Sequence, residues 1–419
     1  MHRLPFVLLA ATTLATPAAR ADFGLRDGDV VAFLGDSITA ERTYGKVVEN
    51  YTLLRYPGRN VRFLNVGRGG DTAAGGLARL EADVIGRGAT VVIVAYGIND
   101  IGWGTKADPS HRAAYLGGIR GIVEGCRARG IRVYVASAAI TAEDPDKAEA
   151  GYLQGMVDEG LALARSLGSE TIDLQRGMRA IQRRVVAFNA GKADPKERVS
   201  LHAADGVHLN DLGGVAMAFA ILKGLGAPAE VSGAIVDGGP EPKVLSASGC
   251  KVEGAARRGD RLEFDRLDEG LPLGFGVLAA LRFWAIPFGD GLNGYTLAIK
   301  DLPPGRYAIE ADGRPLGTWT ADALASGVNL AWATADGWQP GGPWDAQADL
   351  LRRVTDARNE VAEVREGYDR ILAHDPAIPA LRLQADEADA RLVALQKGLT
   401  RPRPYHFVVK PAPAEAKAP

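Results

Sequence analysis

The stretch Val30-Val31-Ala32-Phe33-Leu34-Gly35-Asp36-Ser37-Ile38 decides the fold. Five apolar residues in succession, with no polar alternation, suit a strand covered on both faces, as parallel strands are. Outward from it the pattern recurs at Val61–Val66 (VRFLNV), Thr90–Ala95 (TVVIVA), Ile131–Ala136 (IRVYVA) and, more weakly, Glu170–Leu174. Helical periodicity fills the gaps, over 45–55, 74–87, 110–129, 147–167 and 176–190, with a further helix after Asn210. Alternation of strand and helix predicts an α/β fold, a doubly wound parallel sheet, over residues 22–229.

The rest of the chain reads differently. From about 230 the helical period disappears. Short strand candidates at Lys243–Ser246, Arg261–Phe264, Leu281–Ile286, Tyr295–Lys300, Arg306–Glu310 and Gly317–Trp319 are separated by Gly-Asp, Asp-Gly and Pro-Pro-Gly turns. Residues 230–342 therefore read as an antiparallel, sandwich-like β domain. Residues 343–400 read as a helical hairpin, 345–372 and 378–398, broken at His374-Asp375-Pro376. Residues 401–419 read as a tail. The first twenty-one residues have the form of an export signal: His2 and Arg3, an apolar run from Leu4 to Ala15, and the small-x-small site Ala19-Arg20-Ala21. Export to the periplasm or beyond, with a chain starting at Asp22, is the expectation.

Lys plus Arg number 49 and Asp plus Glu 51, so the chain has no basic surplus to favour nucleic acid and no Lys/Arg block for an anionic membrane. No transmembrane segment is expected. Cys126 and Cys250 are too few for a disulfide framework, a thiolate zinc site or a CxxC pair. Five of the six tryptophans lie beyond residue 280, where they suit a small core better than an exposed sugar platform.

Four short motifs carry the chemistry, each expected where a strand ends. Gly35-Asp36-Ser37 projects a serine hydroxyl into the crevice where open α/β sheets bind ligands. Asn65-Val66-Gly67-Arg68-Gly69-Gly70-Asp71-Thr72 offers glycine amides for close approach to a substrate oxygen, and it lacks the Lys-Ser/Thr ending of a phosphate loop. In Gly97-Ile98-Asn99-Asp100, the Asn99 amide can donate to a developing oxyanion. Asp205-Gly206-Val207-His208 spaces a carboxylate to hold one imidazole nitrogen while the other serves a nucleophile. His202 extends this to H-x-x-D-x-x-H, but no second cluster completes a metal site.

Taken in order, these motifs resemble the SGNH (GDSL-type) family of esterases and lipases. NVGRGGDTAAGG is similar to the second block of the family's lysophospholipase/thioesterase branch. The resemblance covers about residues 22–229. It implies a flavodoxin-like three-layer α/β/α domain and a serine esterase with Ser37 as nucleophile, His208 as base and Asp205 as its orienter. The implied oxyanion hole is the Ser37 amide, the Gly70 amide (rather than Gly67) and Asn99. Asp36 and Asp100 would shape the loops. No metal or organic cofactor is needed. Expected substrates are short-chain or carbohydrate O-acyl esters, small or polysaccharide. The same site also suits lysophospholipid or thioester cleavage, acyl transfer to a sugar, or glycan binding without turnover. No G-x-S-x-G elbow occurs, which argues against an α/β-hydrolase.

Overall fold

The computed structural model describes residues 23–372 and 374–412, so the leading segment read as an export signal lies outside the described residues. Five parallel strands form one sheet: β1 (Val30–Gly35), β2 (Arg62–Asn65), β3 (Val91–Ala95), β4 (Arg132–Ala136) and β5 (Glu170–Ile172), in the order β2-β1-β3-β4-β5. Phe33 lies opposite Asn65 on one side of β1 and opposite Ile93 on the other. Strand order reverses at β1, which opens a crevice at the carboxyl ends of β1 and β3. The unbroken apolar runs have the expected cause: every residue of β3 is buried, and so is β1 after Val30.

Eight helices cover this sheet: α1 (Ser37–Ala40), α2 (Thr43–Arg55), α3 (Ala73–Ala78), α4 (Pro109–Arg127), α5 (Pro145–Glu149), α6 (Tyr152–Ser166), α7 (Leu174–Ala190) and α8 (Asp211–Gly224). The chain segment 147–167, expected as one helix, is split at Gly151, which caps α6 in extended conformation. α8 is apolar on nearly every face and accordingly buried along its length, packed against α2 and α7.

The second half holds β6 (Glu230–Asp237), β7 (Lys243–Ser248), β8 (Cys250–Arg258), β9 (Arg261–Asp268), β10 (Gly294–Lys300), β11 (Arg306–Ala311), β12 (Arg314–Thr320), β13 (Val328–Asn329) and β14 (Pro404–Pro411). Short helices α9 (Ala279–Arg282), α10 (Phe288–Gly291) and α11 (Ala321–Ser326) interrupt them. The strands make two sheets, ordered β13-β10-β6-β7 and β12-β11-β14-β9-β8. Three expectations are corrected here. The β domain is not purely antiparallel, because β6 and β10 pair in parallel across the intervening hairpins. Leu281–Ile286 is not a strand: it forms the end of α9 and a turn, and Phe283 packs there with Phe275, itself 5.1 Å from the Phe288 ring. Residues 401–411 are not tail. Tyr405, Phe407 and Val409 alternate inward, each nearly fully buried, and β14 fills the gap between β9 and β11.

Trp344 occupies the core of this half, with rings of Tyr295, Tyr405 and Phe407 within 4.8–5.8 Å and its indole donating to the Ala331 carbonyl. Beside it, buried Arg266 donates to Asp268 and Ser232, while Tyr295 donates to the other Asp268 oxygen. Trp338, by contrast, stands in solvent.

From Trp344 the chain enters the hairpin α12 (Pro343–Ile371) and α13 (Ile378–Thr400), which packs across α2. Its contact is polar and buried. Arg358 donates to Glu49 at 2.6 Å, Gln396 donates to the same carboxylate, and Thr355 donates to Asn50. Farther along α12, Arg42 donates to Asn359 and Glu366. The hairpin thus reaches the turn between α1 and α2, five residues after Ser37.

Candidate active site

Ser37 stands at the carboxyl end of β1 as the first residue of α1. Asp36 caps that helix by accepting from the Ile38 amide. α1 lies close against the second loop. A Cβ on Gly67 would fall 2.3 Å from the Ala40 amide nitrogen, so only glycine fits.

His208 lies on the loop between α7 and α8, not at a strand end as the sequence pattern suggested. A two-residue bridge between His202 and Leu209 closes this loop, and Asn210 anchors it by capping α8 and donating to the Ser200 carbonyl. His208 Nε2 is 2.9 Å from Ser37 Oγ, and Nδ1 is 2.6 Å from Asp205 Oδ2. Asp205 Oδ1 accepts from the amides of Val207 and His208, each at 2.9 Å. These bonds, that from His208 foremost, hold the Asp205 carboxyl down at about 2, so it is ionised at neutral pH.

Three donors from the first three motifs are left with hydrogens to spare. Among the described residues, neither the Ser37 nor the Gly70 amide has a protein acceptor, whereas Gly67 donates to the Asn65 side chain. Gly70 has φ +73° and open space around it, as a left-handed turn residue requires. Asn99 donates one amide hydrogen to the Asp71 carbonyl, at 3.1 Å, and accepts from the Trp103 indole at 2.8 Å. Its second amide hydrogen is left over, so the side chain is held from both ends with a donor to spare.

Behind this face is a buried carboxylate layer. Asp36 and Asp100 are each pushed up to about 6, chiefly by burial. Asp100 accepts from the Ala73 amide and ties the second motif to the third. Asp71 accepts from Arg79 and from the Tyr96 hydroxyl, and Arg79 in turn donates to the Val66 and Gly35 carbonyls. Of the residues singled out in the sequence, hydrogen bonds join Ser37, His208 and Asp205, and Asn99 bonds to Asp71, the residue after Gly70. The sequence reading missed Arg79, Tyr96 and Trp103. The spacing of Arg79 eight residues after Asp71 gave no signal, and Trp103 was overshadowed by the tryptophans of the second half. His202, buried and bonded to the Ile140 carbonyl, faces no metal cluster; among the described residues no group of three His, Cys, Asp or Glu could hold one.

Residues 33–214 match the model of the GDSL-like lipase/acylhydrolase family. This segment is an SGNH domain of that family. It is an ester-bond hydrolase domain. Around it, the architecture of the whole chain has a counterpart. A gut microbial diltiazem-metabolizing enzyme shares the fold at TM-score 0.77, with 20% identity, over 94% of this chain and 100% of that one. An acetylxylan esterase from Geobacillus stearothermophilus aligns at TM-score 0.39 and 21% identity, over 49% of this chain and 97% of that one. No curated protein sequence matches the chain. The SGNH domain's extra β sheets and helical hairpin are thus shared with a full-length structural counterpart, while the similarity in sequence is low.

Proposed function

We propose that the chain is an exported serine esterase in which Ser37, His208 and Asp205 act as the catalytic triad, on short-chain or carbohydrate-linked O-acyl esters. The observation that carries this reading is the continuous hydrogen-bonded path from Ser37 Oγ through His208 to Asp205. A serine hydroxyl is a weak nucleophile until a base takes its proton. His208 Nε2 is in position to do so as Ser37 Oγ bonds to the ester carbonyl carbon. Asp205, ionised, holds the other ring nitrogen and offsets the imidazolium charge. The carbonyl oxygen, now an oxyanion, receives the Ser37 and Gly70 amides and the spare Asn99 hydrogen. The intermediate collapses by breaking the bond to the alcohol oxygen, which takes the proton from His208. Water then attacks the acyl-enzyme, His208 takes its proton, and the acid leaves as Ser37 recovers the hydrogen.

The openness of the site supports water as the acceptor: the His208 side chain is 25% and that of Asp205 38% exposed. The signal-like segment 1–21 supports export. Small ester or polysaccharide substrates fit an exported enzyme.

The test is hydrolysis of p-nitrophenyl acetate, butyrate and octanoate by the mature chain beside Ser37→Ala. Turnover should vanish with Ser37 and fall with acyl length. Hydrolysis unchanged in Ser37→Ala would sink the mechanism, and a rate rising toward octanoate would replace the short-chain reading with a lipase-like one.

A further inference from the structure

Trp103 is out of place for an ordinary loop residue. Its backbone is left-handed, φ +57° and ψ +33°, a region that is strained for a bulky side chain. Its side chain is half exposed. Yet it is held firmly. The Trp103 amide donates to the Ile98 carbonyl, the neighbouring Gly102 amide donates to the Asn99 carbonyl, and the indole N–H donates to Asn99 Oδ1. The ring stands edge-on to the His208 imidazole, their centroids 5.8 Å apart. Strain, exposure and anchoring together describe an aromatic surface kept in place for something outside the protein.

Its position says which part of an ester meets it. The departing alcohol oxygen must take a proton from His208 Nε2, so the alcohol lies beside His208 and not on the far side of the oxyanion donors. The exposed ring flanking His208 is that of Trp103. The rim at His208 is polar: Asp205 bonds to its ring, and Glu41, exposed, is near enough to His208 and Asp205 to sense their charges. A flat aromatic alcohol stacked here would leave its second face and edges against water and carboxylates. A pyranose places its C–H face on the indole and turns its hydroxyls to the rim and to solvent.

We propose that Trp103 is the specificity-determining residue for the alcohol, a platform for the sugar ring of an O-acylated carbohydrate. This rests on the esterase reading above. The same indole, through its N–H, is a positioning residue for Asn99.

The experiment measures acetate release from an acetylated methyl glucopyranoside, from phenyl acetate and from ethyl acetate, by the full chain, Trp103→Gly, Trp103→Phe and Ser37→Ala. Glycine adopts the left-handed backbone without strain, so Trp103→Gly removes the ring while keeping the loop. The readout is the ratio of kcat/KM for the sugar ester to that for ethyl acetate. This ratio should fall roughly 10-fold or more in Trp103→Gly, the scale of losing one apolar contact in a binding site. In Trp103→Phe the ring survives, so the ratio should hold while kcat drops for all three esters, because Asn99 loses its anchor. An unchanged ratio in Trp103→Gly, a wild type that turns over ethyl acetate but not the sugar ester, or a collapse in Trp103→Phe equal to that in Trp103→Gly overturns the platform. A loss confined to phenyl acetate overturns the sugar assignment. Acetate release that persists in Ser37→Ala, or no turnover of any ester, removes the esterase reading and this inference with it; the other outcomes leave that reading standing.

Discussion

Replacing Arg358 by methionine tests how firmly the C-terminal hairpin is tied to the SGNH domain. Arg358 and Glu49 meet at 2.6 Å with side chains only 15% and 5% exposed. Two unit charges about 4 Å apart attract by ~4 kcal/mol at an effective dielectric of about 20. Removing one partner of a buried pair costs about 3–5 kcal/mol, because the other charge is left without compensation. The two figures agree. At roughly 2–4 °C per kcal/mol for a domain of this size, the melting transition should drop by about 10 °C. Gln396, which also donates to Glu49, keeps the carboxylate from being wholly orphaned. The pH dependence follows from burial, which raises the Glu49 pKa above its ordinary value, and Arg358, which lowers it. A carboxyl with a raised folded pKa contributes stability that is complete below its unfolded pKa and is lost as pH rises through the folded one. Without Arg358 the folded value moves higher still, so the variant's deficit should be smaller at about pH 5 than at about pH 8. Scanning calorimetry of Arg358→Met, Glu49→Gln and the double variant measures both effects. The double variant, with both charges of the pair removed, should recover most of the loss. A single variant melting within about 2 °C of wild type at the higher pH, or a double variant no better than the single, would refute the argument.

Two further predictions concern the crevice. Asn99→Ala removes one of the three donors proposed for the oxyanion and should lower kcat roughly 10²–10³-fold with little change in KM, measured on p-nitrophenyl acetate; an equal rise in KM would place Asn99 in substrate binding instead. Gly67→Ala should destabilise by about 1–3 kcal/mol, since its Cβ would strike the α1 backbone, whereas Gly70→Ala meets open space and should cost only about 1 kcal/mol for its left-handed φ. Thermal melts of the two variants side by side decide it, and equal losses would mean that α1 can move away.

The sheet was legible because β1 and β3 are short unbroken apolar runs, one closed by Gly35 and the other followed by Gly97, and helical periodicity fills the gaps between strands. The hydrogen-bonded set of Ser37, His208 and Asp205 was legible for a related reason: Gly35-Asp36-Ser37 and Asp205-Gly206-Val207-His208 are local patterns, and the three-residue spacing of Asp205 and His208 lets the carboxylate meet the imidazole. Tyr405, Phe407 and Val409 were equally periodic, but the Pro- and Ala-rich residues after Lys410 hid a strand whose partners, Phe264 and Ile309, lie far away in the chain. Pairing of that range leaves no mark on neighbouring residues. Arg79 escaped for the same reason. Its partners come from four separate segments, so its role exists only once the sheet has formed. The hairpin's periodicity showed two helices, but not that α2 would receive them through buried Glu49 and Asn50.

In the five-stranded sheet of the second half, the middle strand, β14, comes later in the chain than the four strands it completes. Until β14 arrives, β9 and β11 have no neighbour in common, and Phe264, Ile309 and Trp344 face an empty slot. The SGNH domain can close as soon as residue 229 is available, but the second half must wait with open strand edges for residues 404–411. Nascent chains stalled inside the hairpin would then be sticky, while those stalled before β6 would not. A tag or fusion placed near residue 412 sits beside the strand that joins the two halves of this sheet, at the closing step of its assembly.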